Sequence, residues 1–237
     1  MSKQKHLSRL AAPKTWPIER KRTKWVAKPV PGTHKIMFSM PLQLYITDIL
    51  KLAKSKVEVK RILNQGLILV NGKIRKEPRF PVGLFDTLQI LKLNKNYRVL
   101  LNAKGQLKLI EIPASEVNTV ITKVRGKTTI SGNKTQINLS NGWSFIADKD
   151  AYKTGDAVIF DTKANKPVKH IKLEEGSTVF VSGGAHAGSI VEVKDFSEEG
   201  ILRKKKFIVA ASDKGELKIP LAEIFVVGKG KPEITLP

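Results

Sequence analysis

A chain of 237 residues that is 41% hydrophobic can build one large domain or several small ones, and as a whole it is not disordered. It has no cysteine, so a disulfide framework and a thiolate nucleophile are excluded and zinc would rely on His and carboxylates. No window approaches the ~18 uninterrupted apolar residues of a membrane span, and the basic start MSKQKHLSRLAAPKTW lacks a signal peptide's apolar block. The 43 basic residues against 21 acidic give a net charge of +22, and this charge is graded. Residues 1–40 carry +9, residues 41–100 +8, residues 101–170 +5, and residues 171–237 zero. Solubility alone gives no reason for a gradient, whereas a polyanion lying along the N-terminal half does. An anionic membrane would call for a basic amphipathic helix or a lipid anchor, and neither pattern occurs.

Residues 1–40 form a basic arm without steady periodicity, interrupted by Pro13, Pro17, Pro29, Pro31 and Gly32. The run ERKRTKW at 19–25 concentrates Arg20, Lys21, Arg22 and Lys24. Alone, such an arm should be mobile until a partner holds it, and its deletion should leave the rest of the chain folded. A small α+β unit is expected over 41–93. In LQLYITDILKLAK, Leu42, Tyr45, Ile46, Ile49, Leu50 and Ala53 share one helical face after Pro41. SKVE at 55–58 reads as a capping box, with Ser55 as N-cap and Glu58 reaching back. The helix it starts buries Val59, Ile62 and Leu63 and stops at Gly66. LILV is then a strand, Asn71-Gly72 a type I′ turn, and KIRK the returning strand, with Ile74 facing away from Lys73 and Arg75. GLFDTLQILKL at 83–93 closes the sheet. Lys60, Arg61, Lys73, Arg75, Lys76 and Arg79 line one edge of this unit. A lysine-rich edge strand is also a common guard against aggregation, but the cations on the adjoining helix and arm favour a docking surface.

Residues 94–170 read as a central β-domain. It has hairpins around Lys104-Gly105 and Asn141-Gly142, further strands in TGDAVIFDT and PVKHIKL, and one stretch, SEVNTVI, that could be helical. Residues 171–228 form another β-unit, in which TVFV and SIVEV flank the loop Gly183, Gly184, His186, Gly188, where glycines permit special backbone angles or close approach. Residues 229–237 read as an unstructured tail.

Catalytic patterns are weak. Gly126-Lys127-Thr128 lacks the glycine that a phosphate-binding loop needs five residues earlier, where Ile121 stands, and fits a hairpin turn better. His6, His34, His170 and His186 are not at metal-ligand spacing, and Asp148, Asp150, Asp156 and Asp161 flank turns. No enzyme, metal, cofactor or small-molecule substrate is expected.

Three segments carry a resemblance. HLSRLAAPKTW at 6–16 resembles the N-terminal signature of small-subunit ribosomal protein number four of the archaeal and eukaryotic type. Residues 42–91 resemble the alpha-L RNA-binding domain, and TVFVSGGAHAGSIVEV at 178–193 resembles a KOW motif. Their order spans nearly the whole chain. The resemblance implies a mainly β protein with a small α+β domain and a C-terminal SH3-like KOW barrel. It also implies a structural role in the small subunit, in the cytoplasm, with rRNA and neighbouring ribosomal proteins as partners. Contact with rRNA is implied for Lys60, Arg61, Lys73, Arg75 and Lys76, joined by His6, Arg9, Lys14 and Trp16 of the arm. Ser189 and Val191 depart from the KOW pattern at positions where a basic residue and a glycine are common. An RNA-modifying enzyme or an RNA-chaperone or transcription factor built on the same modules remains the alternative.

Overall fold

The computed structural model describes residues 6–132, 134–147, 151–199, 205–212 and 215–236. Among the described residues the architecture is mostly β, with two short α-helices, and the backbone divides into two units: Met1–Leu100 with Gln106–Val120, and Leu101–Gly105 with Ile121–Pro237.

In the first unit the arm is folded. Strand β1 (His6–Ser8) pairs antiparallel with β2 (Trp25–Ala27), and the loop between them drives Trp16 into the interior, where it is 1% exposed. Trp16 Nε1 donates to the Ser39 carbonyl at 2.7 Å, which satisfies the indole's single polar atom. The expectation of a mobile arm therefore fails. Its prolines had hidden enough apolar residues (Ala12, Trp16, Ile18 and Val26 are all buried) to offset the entropy of ordering it.

Strand β3 (Ser39–Pro41) leads into one α-helical turn, α1 (Leu42–Leu44), which widens at once into a π-helix, Tyr45–Ile49. The five-residue bond from Leu50 N to the Tyr45 carbonyl (2.9 Å) marks that widening. It rotates the apolar face, so Leu42, Leu44, Tyr45, Ile46 and Ala53 are buried while Ile49 and Leu50, expected in the core, are only half-buried. Helix α2 (Lys56–Asn64) starts where the capping box placed it. Ser55 Oγ accepts from Glu58 N at 3.3 Å, and Glu58 reaches back one residue further than expected, to Lys54 N at 2.8 Å. Its buried residues are Val59 and Leu63, and Gly66 ends it with a left-handed φ of 71°.

The main sheet follows: β4 (Ile68–Val70), β5 (Lys73–Ile74), β7 (Thr87–Ile90), β8 (Lys95–Leu101) and β9 (Leu107–Glu111), in the order β5-β4-β7-β8-β9. Between β5 and β7, β6 (Pro81–Gly83) leaves to pair with β3. The predicted hairpin around Lys104-Gly105 exists, yet it completes this sheet, so the α+β unit extends past residue 93. Arg98 of β8 is fully buried and donates to Glu116 Oε2 at 2.7 Å and to the carbonyls of Glu116 and Thr119. SEVNTVI is a single 3-10 turn (Ala114–Glu116) and the start of a long strand.

The second unit holds two antiparallel sheets. β10 (Thr119–Ile130), β11 (Lys134–Leu139), β12 (Ser144–Ala147), β13 (Ala157–Asp161) and β14 (Lys166–Ile171) run in the order β12-β11-β10-β13-β14. They enclose Val124, Ile137, Leu139, Ala147, Val158 and Phe160, with Trp143, Phe145 and Tyr152 packed alongside. Gly126-Lys127-Thr128 lies inside β10 beside a bulge, not in a turn. The second sheet comprises β15 (Ser177–Val181), β16 (Ile190–Glu199), β17 (Lys205–Ser212), β18 (Gly215–Pro220), β19 (Ile224–Lys229) and β20 (Lys231–Pro232), in the order β18-β17-β16-β15-β19-β20. The tail is tied down as well: β20 pairs with β19, Ile234 is buried, and Glu233 meets Lys169 Nζ at 2.6 Å. Asp148 and Asp150 lie outside the described residues.

Candidate nucleic-acid interface

The hairpin that mounts the cations is held from beneath. Asn71 and Gly72 adopt φ of 51° and 72°, the left-handed pair of a type I′ turn. Asn71 is then locked by two bonds: Nδ2 donates to Asp86 Oδ1 at 2.7 Å, and Oδ1 accepts from Thr87 N at 2.8 Å. Asp86, 2% exposed, also accepts from Gly83 N and faces His34 Nε2, both at 2.8 Å. The imidazole lies flat on Gly83, where a Cβ would stand 2.4 Å from the ring, so position 83 admits no side chain. Neither His34 nor Asp86 was legible as a hub, because their partners lie up to 52 residues apart in sequence.

This pair carries a pH dependence. Burial pushes the His34 pKa down, but the charge of Asp86 and their hydrogen bond outweigh it, so the imidazole ends above its ordinary 6.5. A raised folded-state value means that the stabilisation is complete below the unfolded pKa and is lost as pH rises through the folded one. The wild type should therefore lose unfolding free energy above pH ~6.5 in a way that His34→Gln does not. Parallel urea titrations of the two across pH 5.5–8.5 check this, and identical slopes would refute it.

On that mount the six edge cations separate into two groups. Lys60, Arg61, Lys73 and Lys76 are exposed. The return strand lies against the end of α2, with the Ile74 side chain 3.6 Å from a Cβ placed on Gly66. Arg75 is half-buried with its guanidinium 4.4 Å over the Phe80 ring, and Arg79 pairs with Glu77 at 3.4 Å. Ile74, on the side of the strand away from Lys73 and Arg75, is 55% exposed on this edge strand of the sheet.

The arm residues separate the same way, and two need correcting. Arg9 is 6% exposed and spends its guanidinium on the Thr23 and Glu19 carbonyls and on Thr23 Oγ1. Trp16 is in the core. Neither can reach an external phosphate, since each folds the arm onto itself. Arg20 is half-buried and donates to the carbonyls of Arg9, Ala12 and Pro13. Lys14, Lys21, Arg22 and Lys24 are exposed, with Arg22 3.3 Å from Asp48 and Lys24 5.3 Å over the Trp25 ring. His6 meets Trp25 edge-on at 4.6 Å, and Trp25 is 50% exposed. That exposed indole inside the cationic run is a site feature the sequence reading had not singled out.

In the second unit, the glycines of the loop 182–189 are explained by close packing. A Cβ at Gly188 would fall 2.2 Å from the Asn102 carbonyl oxygen, and Cβ atoms at Gly183 and Gly184 would meet the Glu223 side chain at 3.1 and 2.9 Å. Gly188 N donates to Val181 and Ser189 N to His186, so these amides are already used. The Glu223 carboxylate beside the loop opposes a phosphate there, while His186 is exposed. Among the described residues no group of three or more His, Asp or Glu is placed to hold a metal ion, and no helix is long and apolar enough to cross a membrane.

Comparison with known proteins adds independent findings. Three family models match successive parts of the chain: the RS4NT (NUC023) domain over residues 1–37, the S4 domain over 40–88, and ribosomal family S4e over 93–167. The chain is 40% identical over 231 residues to small ribosomal subunit protein eS4 of Methanocella arvoryzae, covering 97% of this chain and 96% of that protein. It is 41% identical over 239 residues to the protein of the same name from Methanosphaera stadtmanae, covering 100% and 97%. The fold is similar to the crystal structure of the 30S ribosomal protein S4e from Thermoplasma acidophilum, with a TM-score of 0.69, 27% identity, and coverage of 81% of this chain and 95% of that one.

Proposed function

The chain belongs to the S4e family of small-subunit ribosomal proteins, and from that premise we propose that it is a structural constituent of the small ribosomal subunit, binding rRNA in the cytoplasmic ribosome. The observation that carries this reading is the full-length identity to eS4 proteins combined with a rigidly mounted, exposed cationic edge within the S4 domain, an RNA-binding domain. Lys60, Arg61, Lys73 and Lys76 meet backbone phosphates there and release condensed counterions, which gives affinity that falls steeply with salt. Lys14, Lys21 and Lys24 extend the same surface along the arm. Arg75 and Arg79 support it from behind by fixing the 75–80 segment.

The six-stranded sheet of the second unit is read as the KOW-type barrel. Its support is the glycine loop 182–189 between β15 and β16 and the positive φ at Gly184 and Gly188. With no net charge over residues 171–237, this part is assigned to a neighbouring ribosomal protein rather than to RNA.

Sucrose-gradient sedimentation of native extract, with blotting before and after a high-salt wash, tests the assignment. Comigration with small subunits that survives moderate salt is expected. Recovery at the top of the gradient, or with RNA polymerase, would overturn it.

A further inference from the structure

From Val117 to Ala147 the chain has no acidic residue, and its cations there are Lys123, Arg125, Lys127 and Lys134. Asp148 and Asp150 follow β12 outside the described residues, with Lys149 between them, so residues 117–150 still carry five cations against two anions. This stretch builds β10, β11 and β12, whose two faces differ. Ile137 and Leu139 of β11 belong to the core, with Ala147 of β12 beside them. The alternation of a strand then sends Gln136 and Asn138 to the opposite, outer face. Register extends that face across the sheet, because directly opposed residues share a side. Thr128, Gln136 and Ile146 make one row, and Gly126, Asn138 and Ser144 make the next. Lys134, opposite Ile130, stands at one end of these rows, and Arg125 is exposed in the bulge beside Gly126 at the other. Lys127 lies opposite Ile137 and belongs to the other face.

The outer face is open. A Cβ placed on Gly126 would meet nothing within 4 Å, and Thr128, Ser144 and Ile146 are exposed, with Gln136 and Asn138 half-buried. Its polar groups are tied to one another across the strands. Gln136 Nε2 donates to Asn138 Oδ1 at 2.7 Å, and Asn138 Nδ2 donates to Thr128 Oγ1 at 3.1 Å. These bonds fix the side chains in advance and leave the Gln136 carbonyl oxygen as an acceptor and the Thr128 hydroxyl as a donor for an outside group. Side chains ordered beforehand lose little entropy when a partner arrives.

The chemistry of the face selects that partner. A protein would meet an apolar centre, yet among the described residues Ile146 is the one large hydrophobic exposed on these strands. An unpaired RNA strand would stack its bases on exposed rings, yet Trp143 and Phe145 pack against the core. The minor groove of an A-form RNA helix is wide and shallow, and it displays 2′-hydroxyls that both donate and accept, with phosphates along its rims. A flat row of amides and hydroxyls with a cation at each end matches it.

We propose that the outer face of β10–β12 docks in the minor groove of double-helical RNA. Thr128, Gln136, Asn138 and Ser144 bond 2′-hydroxyls there, while Arg125 and Lys134 meet the bordering phosphates. The site rests on the RNA-binding reading above and adds to it a contact on the second unit that recognises the 2′-hydroxyl.

The test uses the full chain and a fluorescein-labelled RNA duplex of about 16 base pairs, either native or methylated at every 2′-oxygen, followed by anisotropy at moderate salt. The native duplex should bind roughly tenfold more tightly, since methylation keeps the phosphates but removes the 2′ donors. Thr128→Val combined with Gln136→Leu should erase that difference, whereas Lys134→Gln should weaken both duplexes alike. The chain has no cysteine of its own, so Ser144→Cys can carry a single iron–EDTA tether. That tether should cleave riboses of both strands across one minor groove, which locates the face on RNA even if the double variant does not fold. Equal affinity for the two duplexes would overturn the minor-groove site and leave the RNA-binding reading standing. A difference that persists in the folded double variant, or a tether that cuts neither strand, would overturn its location. Binding of neither duplex would remove the site, and the sedimentation result would then decide the RNA-binding reading by itself.

Discussion

Replacing Lys60, Arg61, Lys73 and Lys76 together by glutamine should weaken attachment to small-subunit rRNA by roughly a thousandfold near 0.1 M salt. Each phosphate contact in such a complex releases most of one counterion, worth about 1 kcal/mol at that ionic strength, so four lost contacts reach that order. The same substitution should flatten the plot of log affinity against log salt by about 3, because each contact contributes a slope of ~0.7–0.9. All four side chains are exposed, so the thermal midpoint should hold. Changing Arg75 and Arg79 instead should act differently, since one guanidinium lies on Phe80 and the other on Glu77, and stability should fall before affinity does. Filter binding to rRNA across a salt series separates the cases. An unaltered slope in the fourfold variant would mean that this edge does not face RNA.

Trp16→Ala is expected to lower the unfolding free energy by about 3–5 kcal/mol, the usual range for removing a fully buried indole. With slopes of ~1–3 kcal/mol per molar urea, this moves the midpoint by more than 1 M. Ser39 would keep a buried carbonyl that lost its donor, which adds to the cavity cost. The arm had been expected to come off without harm to the rest of the chain. The structure reverses that: deleting residues 2–35 would also take away His34, the partner of Asp86, and the Val30 amide bonded to the Arg79 carbonyl. Loss of RNA binding in such a deletion would reflect unfolding of the mount as much as missing cations. A urea midpoint for Trp16→Ala within 0.3 M of wild type would show that the tryptophan is dispensable.

Much of the first unit was legible because its signals are local. A capping box, a left-handed glycine cap and an Asn-Gly turn each depend on residues at most three apart, and α2, Gly66 and the β4–β5 turn all appear where those signals put them. The strands around Asn141-Gly142 and the flanks of the 182–189 loop were legible for the same reason. The failures have one physical source. The π-helix at Tyr45–Ile49 answers a packing demand that a 3.6-residue period cannot encode. The arm's hydrophobic residues are too scattered by proline to show a period, so their burial against Ser39 and its neighbours was invisible. Gly126-Lys127-Thr128 was read as a turn although the strand runs straight through it with a bulge. The tail passed for loose chain because its pairing with β19, the burial of Ile234 and the Lys169–Glu233 pair are tertiary contacts that no local signal announces.

For function the division falls in the same place. Composition, the charge gradient and the order of three segments determined the kind of partner, a polyanion, and the family, because charge and motif order need no fold to be read. Which cations are offered was decided by the tertiary structure. Arg9 and Trp16 look like RNA ligands in a list of residues, yet burial turns them into the scaffold. An exposed guanidinium and one satisfied by backbone carbonyls have the same letter in the sequence, and only the packing of distant segments tells them apart.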